Sequence, residues 1–174
     1  MTRGRNTSDT SSASTEAFVG PWILLFPATY LAHIAEEQWG GFTARAAELT
    51  GFAIPEAAFL AANGFFWVLM SIAMALVLRR PSRAPLVVAV ATVVAINAAL
   101  HVGSSLLWAG YSPGLLTAVL LWLPLGVAAL MRGYRLLPER SFRFGVLVGV
   151  VAHVLVPVVG FGFVLALGGA VAWR

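Results

Sequence analysis

Five long apolar stretches constrain the fold of this chain more than any other feature of its sequence. Each is about 20 residues or longer, the length that an α-helix needs to cross the hydrocarbon core of a bilayer. They lie at residues 18–39, 55–79, 85–109, 113–132 and 143–173. Because 60% of the residues are hydrophobic and only 10% are charged, an ordinary soluble domain is excluded. We therefore predict an all-α, polytopic membrane bundle of five transmembrane helices, forming one domain over residues 18–174.

The segment before the first stretch, residues 1–17, is polar and rich in Ser and Thr, and we predict a disordered tail there. A signal peptide is the alternative, since Arg3 and Arg5 precede an apolar run. That run, however, is long, ends in His and Glu and lacks an Ala-x-Ala cleavage pattern. We expect it to be retained as the first helix.

The arginines predict the orientation of the bundle. All 11 basic residues are arginine, and two groups fall in the short segments that follow the second and fourth stretches. These groups are Arg79, Arg80 and Arg83, and Arg132, Arg135, Arg140 and Arg143. Positively charged loops favour the cytoplasmic side, so we predict a multi-pass protein of the cell membrane with a cytoplasmic amino terminus. Trp39, Trp108 and Trp173 then lie at the outer interface. The basic pI of about 10.7 is explained by topology, and no nucleic-acid partner is expected.

Few polar side chains interrupt the apolar stretches, and they recur at helical spacing. His33, Glu36 and Glu37 are related by steps of three and four residues, which place them on one face of a helix. Asn97 and His101 are again four residues apart and point together. Ionisable groups in hydrocarbon are costly and usually mark a function or a structural pair. We predict one cluster shared by several helices.

His153, in the last stretch, is expected at a comparable depth in the bundle and is a weaker candidate for the same cluster. Pro157 has no N–H for the carbonyl of His153, so the helix is expected to kink beside the imidazole. A single histidine of this kind is more often a hydrogen-bonded contact between helices than a ligand.

These residues form three motifs that resemble a known family of small multispanning membrane proteins, grouped by HXXEE together with NXXXH and YXPG. Here they read His33-Ile34-Ala35-Glu36-Glu37, Asn97-Ala98-Ala99-Leu100-His101 and Tyr111-Ser112-Pro113-Gly114. The resemblance covers roughly residues 18–132. It implies no particular activity, but it adds Tyr111 to the candidate functional residues.

Two chemistries fit the cluster. In the first, one divalent ion (zinc, iron or manganese) is bound by His33, Glu37, His101 and His153, because imidazole and carboxylate are ligands for these metals. Glu36 would then support the ligands, bridge to a second ion or act as a base, and Asn97 would orient His101.

The second chemistry is acid–base catalysis without a metal on a hydrophobic substrate, as in an isomerase or cyclase. Aromatic side chains would line the pocket and stabilise a cation. The candidates are Phe26, Tyr30, Phe65, Phe66, Trp67, Phe161 and Phe163.

The sequence favours an enzyme that acts on a lipid-soluble substrate, for example an isoprenoid or a sterol-like compound. Its candidate catalytic residues are His33, Glu36, Glu37, Asn97, His101 and Tyr111. A proton-coupled or metal transporter, a non-catalytic membrane subunit and a homodimer stay open as alternatives. The structural alternative is that Glu36 and Glu37 only reach the headgroup region.

Overall fold

The computed structural model describes residues 7–167, which form helices and contain no β-strand. The helices are α1 (Thr7–Phe18), α2 (Leu25–Trp39), α3 (Phe42–Thr50), α4 (Glu56–Arg79), α5 (Pro85–Leu107), α6 (Leu115–Leu136) and α7 (Glu139–Ala166). The all-α prediction is confirmed. Trp173 and residues 1–6 lie outside the described residues.

Four helices, not five, are long and apolar enough to cross a membrane, namely α4, α5, α6 and α7. They indicate a membrane protein. The prediction of five spans is wrong at the first stretch, residues 18–39. Its helix α2 has 15 residues, which gives about 22 Å at 1.5 Å per residue, less than the roughly 30 Å of a hydrocarbon core.

Two prolines break that first stretch. Gly20 is extended before Pro21, where a short 3-10 turn, Pro21–Leu24, begins. Pro27 has no N–H for the carbonyl of Ile23 and lies in the first turn of α2, so the regular α-helix begins only at Leu25. The prediction that residues 1–17 are disordered stays a prediction, although the structure describes Thr7–Phe18 as helix.

Helix α5 is the centre of the bundle and packs against α4, α6 and α7. Glycines let α7 approach it closely: a Cβ added to Gly145 would lie 2.7 Å from the carbonyl oxygen of Pro85, and one added to Gly149 would lie 2.6 Å from that of Ala89. The core formed around α5 is apolar and includes Phe26, Met74 and Val94.

Helix α2 packs against α4 and the first turns of α6. Tyr30 donates a hydrogen bond to Asn63 Oδ1 (2.9 Å), and Trp67 donates one to the carbonyl of Pro27 (3.0 Å). The two arginine-rich loops, meaning residues 79–83 and 132–143 with the helix ends that they include, lie at one end of the bundle. The end of α2 and the α5–α6 turn lie together at the other end, where Gly40 packs against Pro113.

Candidate metal centre

All three sequence motifs meet at the end of the bundle opposite the arginine-rich loops. HXXEE occupies the second half of α2, NXXXH occupies α5, and the YXPG residues form the turn between α5 and α6. The convergence that helical spacing predicted for α2 and α5 is therefore present in the structure.

His33, Glu37 and His101 form a buried group at this end. Glu37 Oε1 lies 3.6 Å from His33 Nε2 and 3.4 Å from His101 Nε2. One potential ligand atom from each of the three residues lies within 4.8 Å of the others, so the group can hold a metal ion. Ligands about 2.0–2.2 Å from a shared zinc are about 3–3.5 Å apart, so little movement is needed.

The other ring nitrogens contact hydroxyl groups near the start of α6. His33 Nδ1 lies 2.8 Å from Thr117 Oγ1, and His101 Nδ1 lies 3.3 Å from Ser112 Oγ. These contacts position both imidazoles through Nδ1, while their Nε2 atoms face Glu37.

Asn97 contacts a different imidazole from the one expected. Its amide Nδ2 lies 3.2 Å from His33 Nε2, whereas the sequence had suggested that it orients His101. The four-residue step correctly placed Asn97 and His101 on one face of α5, but the side chain reaches across to α2.

Glu36 has a different environment from its neighbour Glu37. Its Oε1 accepts hydrogen bonds from the Tyr111 hydroxyl (2.7 Å) and the Leu116 N–H (2.8 Å). Its Oε2 accepts from the N–H (2.7 Å) and the hydroxyl (2.5 Å) of Thr117. The carboxylate therefore caps the amino-terminal end of α6, a position that favours negative charge. Desolvation raises the pKa of Glu36, but these hydrogen bonds outweigh it and hold the pKa at about 2.

Tyr111 lies at the exposed edge of the site, where its side chain is accessible to solvent. Desolvation, together with the hydrogen bond to the Glu36 carboxylate and its negative charge, raises the pKa of this phenol to about 12. Within the described part of the chain, Tyr111 is joined to the buried group through Glu36.

Gly114 covers the buried group with its backbone. It has a φ of +94°, and a Cβ at this position would lie 2.7 Å from His101 Cε1 and 2.8 Å from His33 Cε1. The glycine of the YXPG turn thus serves two purposes, because it provides both the left-handed backbone conformation and the space for the two imidazoles.

Trp122 forms one wall of the site. Its ring stacks on His33 with centroids 3.8 Å apart, and it also stacks with Tyr30, with centroids 5.5 Å apart. Trp122 ends a π-helical segment, Ala118–Trp122, and such segments are frequent at functional sites. Of the aromatic side chains expected to line a pocket, Tyr30 is the one in this stack. Phe65 instead contacts Phe66 and Phe163, and Phe161 contacts Phe52.

Among the described residues, His153 does not belong to the group formed by His33, Glu37 and His101. It is half-buried on α7, and its Nδ1 has no hydrogen-bond partner there. Its depth along the bundle had suggested convergence, but depth alone does not bring a side chain to a site.

Sequence reasoning missed three residues of the site: Ser112, Thr117 and Trp122. Ser112 lies inside the YXPG motif, where Pro113 and Gly114 alone explain a turn. Thr117 follows Gly114 by three residues, a spacing typical of capping interactions at the start of a helix. Trp122 carried no signal beyond being one of six tryptophans.

Comparisons with known proteins agree with the motifs. Residues 24–129 match a protein-family model described as "Protein of unknown function with HXXEE motif". The searches of curated proteins and of solved structures gave no match. Since the family model covers more than half of the chain and includes all three motifs, this chain belongs to the HXXEE family.

Proposed function

We propose that this protein is a membrane metalloenzyme with one divalent ion held by His33, Glu37 and His101. The observation that supports the proposal is the buried group itself, in which two imidazole nitrogens and a carboxylate oxygen face one another. A buried carboxylate is costly without compensation, and a divalent ion between these three side chains would supply it.

The number of ligands favours catalysis over a purely structural metal. Structural zinc sites usually have four protein ligands, whereas catalytic sites use three and leave a position for water or substrate. Two histidines and one carboxylate suit zinc, iron or manganese. The ion would act as a Lewis acid on a substrate oxygen or activate a bound water.

The surroundings favour a lipid-soluble substrate. The site lies among helices apolar enough to cross a membrane. A cleft of about 350 Å³ opens between α5 and α6, lined by apolar side chains and Ser105. Its walls include Val102, next to His101, and Leu116, next to Thr117. We propose that an isoprenoid or other lipid chain lies in this cleft. His33, Glu37 and His101 are not among its lining residues, so the polar end of the chain would extend beyond the cleft to reach them. The arginine-rich loops support placing the protein in the cell membrane.

Metal-free acid–base catalysis is the weaker alternative. An acid that donates its proton must be protonated and free to approach the substrate. Glu36 already accepts four hydrogen bonds. Glu37 lies between two imidazoles, an arrangement that a cation would complete.

Transport is also less well supported. A transporter needs polar groups that continue from the site toward the other end of the bundle. In the described chain, the core toward the arginine-rich end contains apolar side chains such as Phe26, Met74 and Val87. The site is therefore approached from one end, as expected for a pocket.

The metal content of the purified protein tests the proposal. We expect about one zinc, iron or manganese per chain after gentle purification or after reconstitution with these ions. His101→Ala should lose the ion, whereas His153→Ala, which removes an imidazole outside the group, should keep it. No metal in the wild-type protein under either condition, or equal loss in both variants, would contradict the metal site.

Turnover is tested separately. The metal-loaded protein and His101→Ala, each in lipid nanodiscs, would be incubated with an extract of membrane lipids and the products compared by mass spectrometry. A lipid species that changes only with the wild-type protein supports an enzyme. If metal is bound and no lipid changes in extracts from several sources, the enzymatic part of the proposal is wrong.

A further inference from the structure

The two glutamates of HXXEE act on different nitrogens of the same histidine, one directly and one through a hydroxyl group. Glu37 faces His33 Nε2 directly, whereas Glu36 reaches His33 Nδ1 only through the hydroxyl of Thr117.

The Thr117 hydroxyl has a single hydrogen and three nearby groups that can accept it. These are the Glu36 carboxylate at 2.5 Å, His33 Nδ1 at 2.8 Å and the Gly114 carbonyl oxygen at 3.2 Å. An ionised carboxylate is the strongest acceptor of the three. Thr117 therefore donates to Glu36, and its oxygen must accept a hydrogen from His33 Nδ1.

A second contact, on the other side of the ring, leads to the same conclusion. The amide Nδ2 of Asn97 can only donate, and it lies 3.2 Å from His33 Nε2. Nε2 must then be the acceptor and Nδ1 the protonated nitrogen. Two independent neighbours on different helices thus specify one tautomer.

We infer that Glu36 and Thr117 are positioning residues that keep His33 protonated at Nδ1, so that the Nε2 lone pair faces Glu37 and His101. Carboxylates commonly fix metal-binding histidines through the distal nitrogen, and here a hydroxyl stands between the two groups. Glu37 would bind the metal directly, whereas Glu36 would orient His33, which binds the metal. The positioning role rests on the proposed metal site. The tautomer itself does not require a bound metal.

Nitrogen-15 NMR of the metal-free protein in detergent micelles at neutral pH tests the tautomer. The chain has only three histidines, so His101→Gln and His153→Gln assign the signals. We expect the wild-type His33 to have a protonated Nδ1 and an unprotonated Nε2. Thr117→Ser should keep this pattern. Thr117→Val, which has the same shape but no hydroxyl, should increase the Nε2-protonated form, because only the Asn97 donor then still favours protonation at Nδ1.

Glu36→Gln provides a second variant in case Thr117→Val does not fold. The neutral glutamine amide is a weaker acceptor than the ionised carboxylate, so the Thr117 hydroxyl should donate to His33 Nδ1 more often and the Nε2-protonated form should increase. A wild-type His33 protonated at Nε2, or a Thr117→Val spectrum identical to that of the wild type, would overturn the inference.

Metal titration then separates this inference from the proposed function. With zinc as the probe, Thr117→Val should bind about 10- to 100-fold more weakly than Thr117→Ser. If zinc does not bind to the wild-type protein, the proposed function fails while the tautomer result stands. Equal zinc affinity of the two variants would overturn the positioning role.

Discussion

Single residues at the site are constrained by contacts that their motif spacing does not reveal. Adjacent glutamates differ because successive residues on a helix point about 100° apart. Glu37 is buried between two imidazoles, and Glu36 points at the first turn of α6. Gly114 is constrained by two imidazoles, since its backbone lies against His33 and His101.

Replacement of Gly114 by alanine should therefore disrupt the site. The left-handed conformation costs an alanine about 1–2 kcal/mol, and the new Cβ would lie 2.7 Å from His101 Cε1. We expect a lower melting temperature in detergent and loss of bound metal. Gly103→Ala is the matched control, because a Cβ there meets nothing within 4 Å. Unchanged metal content in Gly114→Ala would show that the backbone does not close the group.

Loss of the Asn97 amide should have a smaller effect than loss of a ligand. The Asn97 donor and a metal ion compete for the same lone pair on His33 Nε2, so the amide must move away when the metal binds. We expect Asn97→Ala to retain metal. Its metal affinity should fall by no more than the roughly 10- to 100-fold seen when a group that supports a ligand is lost. Complete loss of metal, as in His101→Ala, would instead make Asn97 a ligand.

At the scale of helices, the packing of α5 positions the site. It carries Asn97 and His101, and it is held from the other side by α7. The approach of α7 depends on Gly145 and Gly149, where a side chain would overlap the α5 backbone. Small residues have this role in membrane helices because tight van der Waals packing drives their association.

Gly149→Ala should therefore separate α5 from α7. The added Cβ would lie 2.6 Å from both the Ala89 carbonyl oxygen and Thr92 Cβ. We expect a destabilisation of about 1–3 kcal/mol, as for overpacked cores, measured by unfolding in mixed micelles. Gly160→Ala on the same helix is the control, since nothing lies within 4 Å of its Cβ. Equal stabilities of the two variants would contradict this account of the packing.

At the scale of the molecule, four long apolar helices leave the site at one end and the arginine-rich loops at the other. Helices α5 and α6 form an antiparallel pair, as the short α5–α6 turn predicts. The two arginine-rich loops must then face the same side of a membrane, whereas α3 must face the opposite side.

Single-cysteine labelling checks this topology directly, because the chain has no native cysteine. In intact cells, Ser82→Cys and Ser141→Cys should be protected from a membrane-impermeant maleimide, whereas Glu48→Cys should react. The positive-inside rule predicts this orientation, because arginine-rich loops favour the cytoplasmic side. Reaction of Ser82→Cys without Glu48→Cys would reverse the orientation. Reaction of Ser82→Cys and Ser141→Cys from opposite sides would contradict the fold.

Much of the fold and part of the site could be predicted from sequence because the relevant signals are local. The hydropathy of residues 55–79 predicts helix α4, and the spacing of His33 and Glu37 predicts their shared face. The first stretch failed because hydropathy does not register that Pro27 cannot bond the carbonyl of Ile23. His153 was misleading because depth along an axis leaves the rotation of its helix undetermined.

The sequence alone determined the all-α class, the long apolar helices, the loops that carry arginine and the side chains available for chemistry. Only the tertiary structure decided which of those side chains meet. It brought His33, Glu37 and His101 together, gave Glu36 to the start of α6, stacked Trp122 on His33 and left His153 apart. The reason is physical: hydropathy and helical period act within one helix, whereas a ligand group depends on the rotation, depth and close approach of several.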